Sequence, residues 1–65
     1  MKFVKKYGMA YDICPQNFVE IRCQNEFYLV HYDNNPPQPG DGVWFVEVKA
    51  GNGEVDHYLV GVDGL

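Results

Sequence analysis

The chain has 65 residues, 46% of them apolar, and a formal net charge of −4. That balance describes one domain and argues against a disordered chain; a membrane helix is excluded, since no apolar run approaches the ~18 residues that one requires. Neither Ser nor Thr occurs, which rules out a Ser or Thr nucleophile, a Ser/Thr phosphosite and an N-glycosylation sequon.

A domain of this length buries only about 60% of the surface its unfolded chain exposes. The ten aromatic residues, each able to bury roughly 150–250 Å², are expected to compensate. The start, Met1-Lys2-Phe3-Val4-Lys5-Lys6, is basic but lacks the apolar centre of a signal peptide, and a cytoplasmic protein is expected.

In chain order, Lys2 to Tyr7 reads as a first strand, with Phe3, Lys5 and Tyr7 on one side and Lys2, Val4 and Lys6 on the other. Its three lysines suit an exposed edge. Gly8 to Asn17 reads as a connection in which residues 9–14 form one short helical turn at most, since Pro15 disfavours helix at Cys14. Phe18 to Asp33 reads as a hairpin. A three-residue loop, Gln24-Asn25-Glu26, would gather Val19, Ile21, Cys23, Phe27 and Leu29 on one face and is expected for that reason. A two-residue loop would reverse the faces of Phe27 to Tyr32. Asn34-Asn35-Pro36-Pro37-Gln38-Pro39-Gly40-Asp41 resembles a ligand of SH3 or WW domains, but its expected role is a stiff crossover between hairpins.

Gly42 to Val62 carries the strongest signal. Two runs of β-branched and aromatic residues flank Asn52-Gly53, a pair suited to a type I′ turn. That turn places Lys49 opposite Asp56, Val48 opposite His57, Val46 opposite Leu59 and Trp44 opposite Gly61. The expected core face is then Trp44, Val46, Val48, Val55, His57 and Leu59, with the indole over Gly61. The other face would carry Glu47 beside Tyr58, Phe45 beside Val60 and Val43 beside Val62. Asp63-Gly64-Leu65 reads as a tail. The expected fold is all-β: about five antiparallel strands in a small twisted sheet or an SH3-like, partly open barrel.

Candidates for chemistry are few. Cys14, Cys23, His31 and His57 follow the spacing C-x8-C-x7-H-x25-H, which matches no standard zinc pattern. Cys23 and His31 fall too far apart in the hairpin to share an ion or act as a nucleophilic pair. A Cys14–Cys23 disulfide is geometrically open, but a cytoplasmic setting favours free thiols. His57 reads as a half-buried packing residue, and Tyr58 with Glu47 as a cross-strand hydrogen bond. Gly51-Asn52-Gly53 opens no helix, so it is no phosphate loop. Neither an enzyme nor a cofactor is expected.

Charge is the one functional signal. From Gln24 onward Lys49 alone opposes Glu26, Asp33, Asp41, Glu47, Glu54, Asp56 and Asp63. Such a field repels nucleic acid and attracts basic surfaces. In size, acidity and lack of catalytic groups, the whole chain resembles phage-encoded anti-CRISPR proteins, several of which mimic DNA. The resemblance is compositional and rests on no shared motif. It implies a monomeric inhibitor acting in a bacterial host cell, without nucleic acid or membrane as direct partner. Its target would be the basic, nucleic-acid-binding surface of a complex such as a CRISPR effector. Glu47, Glu54, Asp56, Tyr58, Asp33 and Asp41 are the expected contacts. The competing expectation is an SH3-like interaction module using an apolar patch around Phe45, Val60 and Tyr32. A contiguous acidic face favours the first reading and an exposed aromatic patch the second.

Overall fold

In the computed structural model, which describes residues 2–63, five strands form a closed barrel in the order β1-β2-β3-β5-β4. They are β1 (Lys2–Cys14), β2 (Phe18–Cys23), β3 (Glu26–His31), β4 (Gly42–Lys49) and β5 (Val55–Asp63). The expectation of a small five-stranded all-β fold is borne out. Neighbours pair antiparallel except β3 and β5, which run parallel and share the single bridge His31–Tyr58. This Greek-key order is a connectivity it shares with OB-type barrels, an architecture that by itself implies no function. Gly64 and Leu65 of the expected tail lie outside the described residues, and Asp63 ends β5 instead.

β1 is one long strand serving two neighbours. Its first part pairs with β4, from Lys2–Lys49 to Met9–Gly42. Its second part pairs with β2, from Met9–Arg22 to Cys14–Phe18. Gly8 sits at the handover, where a Cβ would lie 2.6 Å from the Arg22 carbonyl oxygen and 2.7 Å from Ile21 Cγ2. Just beyond, Tyr11 is the extra residue of a bulge between Ala10 and Asp12. A glycine and a bulge together bend the strand enough to close the barrel. The expected helical turn over residues 9–14 is therefore absent. The Ala10 N–H donates to the Asp41 carbonyl and the Ala10 carbonyl accepts from the Gly40 N–H, both at 2.8 Å, so the crossover takes the groups a helix would need. The crossover ends in a turn in which the Asp41 N–H donates to the Gln38 carbonyl at 3.0 Å. Pro39 and Gly40, the latter at φ 97°, supply its type II geometry.

Both hairpin registers depart from expectation. Gln24 and Asn25 are both left-handed, at φ 51° and 68°, and make a two-residue loop. Cys23 then faces Glu26, Ile21 faces Tyr28 and Val19 faces Val30. Tyr28 and Val30 turn toward the core, while Phe27 and Leu29 lie outside at 53% and 55% exposure. The β4–β5 loop is instead the longer one, Gly51-Asn52-Gly53. The Ala50 N–H donates to the Glu54 carbonyl at 2.9 Å and the Gly53 N–H to the Ala50 carbonyl at 3.1 Å. Gly53 alone is left-handed there, at φ 90°, and the Asn52 side chain accepts from the Glu54 N–H at 3.0 Å. This is a type I turn followed by a G1 bulge.

The extra residue slides the register by one, so Glu47 faces His57 and Phe45 faces Leu59. Val60 is then bulged, which restores the expected pairs Trp44–Gly61 and Val43–Val62. The expected core face is thereby reversed over Val43, Trp44 and Phe45, while Val46 and Val48 are half-buried. Phe45 and Val43 are fully buried and Trp44 is exposed. The indole leaves Gly61 uncovered and rests on Tyr7, with ring centroids 4.8 Å apart. Val55 is likewise exposed, whereas His57 and Leu59 are half-buried as expected.

The core comprises Ala10, Val19, Ile21, Cys23, Val30, Val43 and Phe45, with Tyr28, Tyr32 and Leu59 packed against it. Phe45 is its only large ring. Substituting Phe45→Ala is expected to cost about 3–5 kcal/mol, enough to abolish cooperative unfolding in a domain this size. Trp44→Ala, losing chiefly its contact with Tyr7, is expected to cost about 1–2 kcal/mol. Thermal melts of the two variants check the assignment of faces, and a larger loss for Trp44→Ala would reverse it. Gly8→Ala is expected to cost about 1–3 kcal/mol or more through overpacking against backbone, measured as a lowered urea midpoint.

Candidate functional site: an aromatic stripe and a cleft

Six of the ten aromatics are exposed, which defeats the expectation that they fill the interior. The outer row of β1 explains where they went. Lys5, Tyr7, Met9 and Tyr11 all stand exposed. Tyr7 pairs with Trp44 on β4, Met9 with Arg22 on β2, and Arg22 with Phe27 on β3. Tyr11 meets Phe27 edge-on, with centroids 5.3 Å apart. Lys5 Nζ lies 5.0 Å from the Trp44 ring centroid and the Arg22 guanidinium 5.9 Å from that of Phe27, both within cation–π range. Gly42 makes room on the sheet, since a Cβ there would run into the Tyr7 phenol oxygen. The result is a continuous stripe of rings and cations across β4, β1, β2 and β3.

The cations have a simple arrangement that linear order hides. Lys2, Lys5 and Lys6 are on β1, Lys49 pairs with Lys2, and Arg22 pairs with Met9. Every basic residue is therefore on β1 or directly opposite it. Among the described residues Lys2 to Gly8 pairs on one side only, so the expected edge is real for this half of the strand. No helix among the described residues is long and apolar enough to cross a membrane.

The six residues expected to bind a partner do not share one face. Glu47 points inward, 3.1 Å from His57 Nε2, in a half-buried pair that Tyr28 and Phe45 flank. It therefore makes no cross-strand contact with Tyr58, and only Asp56 and Tyr58 take the opposite side of that ribbon. Glu54 is held in the turn, its side chain accepting from Asn52 Nδ2 at 3.3 Å. Asp41 is occupied too, its carboxylate accepting from the Gln38 N–H at 2.9 Å. Asp33 and Tyr58 alone converge, on a cleft of about 300 Å³ at the β3–β5 seam. Of the apolar alternative, Val60 is exposed, Tyr32 is half-buried on that cleft and Phe45 is core.

Among the described residues, no three of His, Cys, Asp and Glu gather as metal ligands. Cys14 pairs with Phe18 and Cys23 lies at the far end of β2. Five residues at ~3.3 Å separate them by roughly 17 Å along the sheet, so a disulfide is not geometrically open after all.

The stripe escaped sequence reading because its members come from four strands. The available signal was Gly8 inside an otherwise strand-like run, which allows residues 2–14 to be one bent strand with Tyr7, Met9 and Tyr11 on a shared row.

The chain matches no family model, and no curated protein or solved structure is found to match it.

The inward turn of Glu47 yields a prediction. Glu47→Lys sets a cation against His57 and is expected to destabilise the fold by about 1.5–3 kcal/mol. Asp56→Lys, on the exposed face, is expected to change it by less than about 0.5 kcal/mol. Chemical denaturation of the two single variants measures the difference.

Proposed function

We propose that this protein is a non-catalytic interaction module that docks a protein partner through the stripe of Trp44, Tyr7, Met9, Arg22, Tyr11 and Phe27. The observation that supports the reading is the composition and continuity of that face. Tyr, Trp, Phe, Met and Arg are the residues enriched at the centres of protein interfaces, and Glu and Asp are depleted there. A small domain that leaves six aromatics exposed, four of them in the stripe, while its core holds small and aliphatic residues and one phenylalanine gives up burial it could use, and partner binding recovers it. The partner's matching surface is apolar with carboxylates, complementary to Lys5 and Arg22.

The anti-CRISPR-like reading, an acidic inhibitor mimicking DNA, keeps its support in the net charge of −4. It gains none from a shared acidic face, because Glu47, Glu54 and Asp41 are engaged within the fold.

The test uses three immobilised baits in bacterial lysate, with and without nuclease treatment: wild type, Tyr11→Ala/Phe27→Ala and Glu54→Lys/Asp56→Lys. The captured protein is then made recombinantly and its affinity for each bait is measured. Wild type and the lysine variant are expected to bind alike. The alanine variant is expected to lose about 2 kcal/mol or more, some thirtyfold, as for truncated anchor residues. Equal binding by the alanine variant overturns the stripe. Selective loss in the lysine variant returns the acidic inhibitor, and binding that requires intact nucleic acid replaces the protein partner altogether.

A further inference from the structure

The cleft at the β3–β5 seam shares no residue with the stripe. It exists because the two strands touch at one bridge, His31–Tyr58, and diverge beyond it. The β1–β2 turn folds over the gap through Gln16 and Asn17, both left-handed at φ 64° and 63°. The Tyr32 N–H donates to the Asn17 carbonyl at 3.1 Å and fixes that wall to the end of β3. His31 is held between two rings, 4.3 Å from Phe18 and 5.1 Å from Tyr58, the latter nearly parallel at 23°. The walls are therefore set before any ligand arrives, which lowers the ordering cost of binding.

The lining narrows the ligand. Three rings, His31, Tyr32 and Tyr58, and the Leu59 side chain line it together with a carboxylate, Asp33, and two carboxamides, Gln16 and Asn17. No Lys or Arg lines the cleft, and among the described residues no hydrogen bond or ion pair engages the Asp33 carboxylate. An anion would be repelled by Asp33, and an apolar group would strip water from that carboxylate without replacing its hydrogen bonds. A planar cation satisfies both kinds of wall. It stacks on the rings and donates a two-pronged hydrogen bond to the carboxylate. A volume of about 300 Å³ is the lower end for ligand pockets and suits a side-chain-sized group. The net charge of −4 favours its approach.

We propose that the cleft walled by His31, Tyr32 and Tyr58 and closed by Asp33 is a subsite for a guanidinium group, taking an arginine side chain presented by a basic peptide or protein. Asp33 and Tyr58 act there as a pair, one supplying charge and the other a stacking face. The site is separate from the stripe, so the two readings stand or fall independently.

The experiment is an amide NMR titration of the intact protein with N-acetyl-arginine amide, and with the citrulline analogue, which keeps the shape and lacks the charge. The arginine compound is expected to shift Asn17, Tyr32, Asp33 and Tyr58 saturably. The citrulline compound is expected to bind about tenfold more weakly or worse, as for loss of a charge-assisted contact. Asp33→Asn is expected to weaken the arginine compound by a similar factor with the rest of the spectrum unchanged. Tyr11→Ala/Phe27→Ala is expected to bind it as wild type does. Tyr58→Phe, which keeps the ring and the fold, is expected to retain binding, and Tyr58→Ala to lose it. Equal response to citrulline, undiminished binding by Asp33→Asn, or tighter saturable binding of methyl glucoside or a nucleoside at the same residues would overturn the assignment.

Discussion

At Gly8 the backbone of β1 comes so close to Arg22 and Ile21 that no side chain fits between them, and that approach lets one strand change partners midway. Before Gly8 the strand belongs to β4; after it the strand belongs to β2. Closure of the barrel, the position of the crossover against Ala10 and the shared outer row of Tyr7, Met9 and Tyr11 all follow. The tight inner side of the bend has room for Gly8 and Ala10 only, so β1 contributes little apolar volume to the core. Phe45 and the β2–β3 side chains fill it instead. The large residues of β1 are left on the convex side, where they have neighbours but no cover.

Much of the fold is legible in the residues. The alternation of Val19, Ile21 and Cys23 gives the inner face of β2 correctly, and the prolines after Asn35 mark the crossover. What is not legible is loop length, because the decision lies in one backbone angle. Asn52-Gly53 has the chemistry of a two-residue turn, yet Gly51 before it permits a three-residue loop in which only Gly53 is left-handed. Gln24-Asn25 takes the two-residue form although Gln24 has no special liking for positive φ. Each choice moves pairing by one residue and so exchanges inside for outside. Apolar patterning cannot arbitrate in β4, where Val43, Trp44, Phe45, Val46 and Val48 make both faces plausible. The same slip carries Glu47 from the surface to His57 and divides the acidic residues expected to act together.

The surface is consequently organised by strand pairing rather than by sequence position. Cations at positions as distant as Lys2, Arg22 and Lys49 are gathered along β1 and directly opposite it, while the acidic residues are scattered over all five strands, the turns and the crossover. The protein thus presents two unlike chemistries. A stripe of rings with interleaved cations crosses the convex sheet. A ring-walled cleft with one carboxylate lies where the barrel is least tightly joined. Net charge describes neither of them.

The long reach of β1 also bears on how the chain becomes folded. Lys2 meets Lys49 across the ladder, so closure joins strands from opposite halves of the sequence. Isolated hairpins form in ~1–10 μs, but barrels dominated by such distant pairings complete in milliseconds to seconds. The β2–β3 hairpin is local, but its inward Val19, Ile21 and Val30 are covered only when Val43 and Phe45 of β4 dock, so the step that buries the core is also the long-range one.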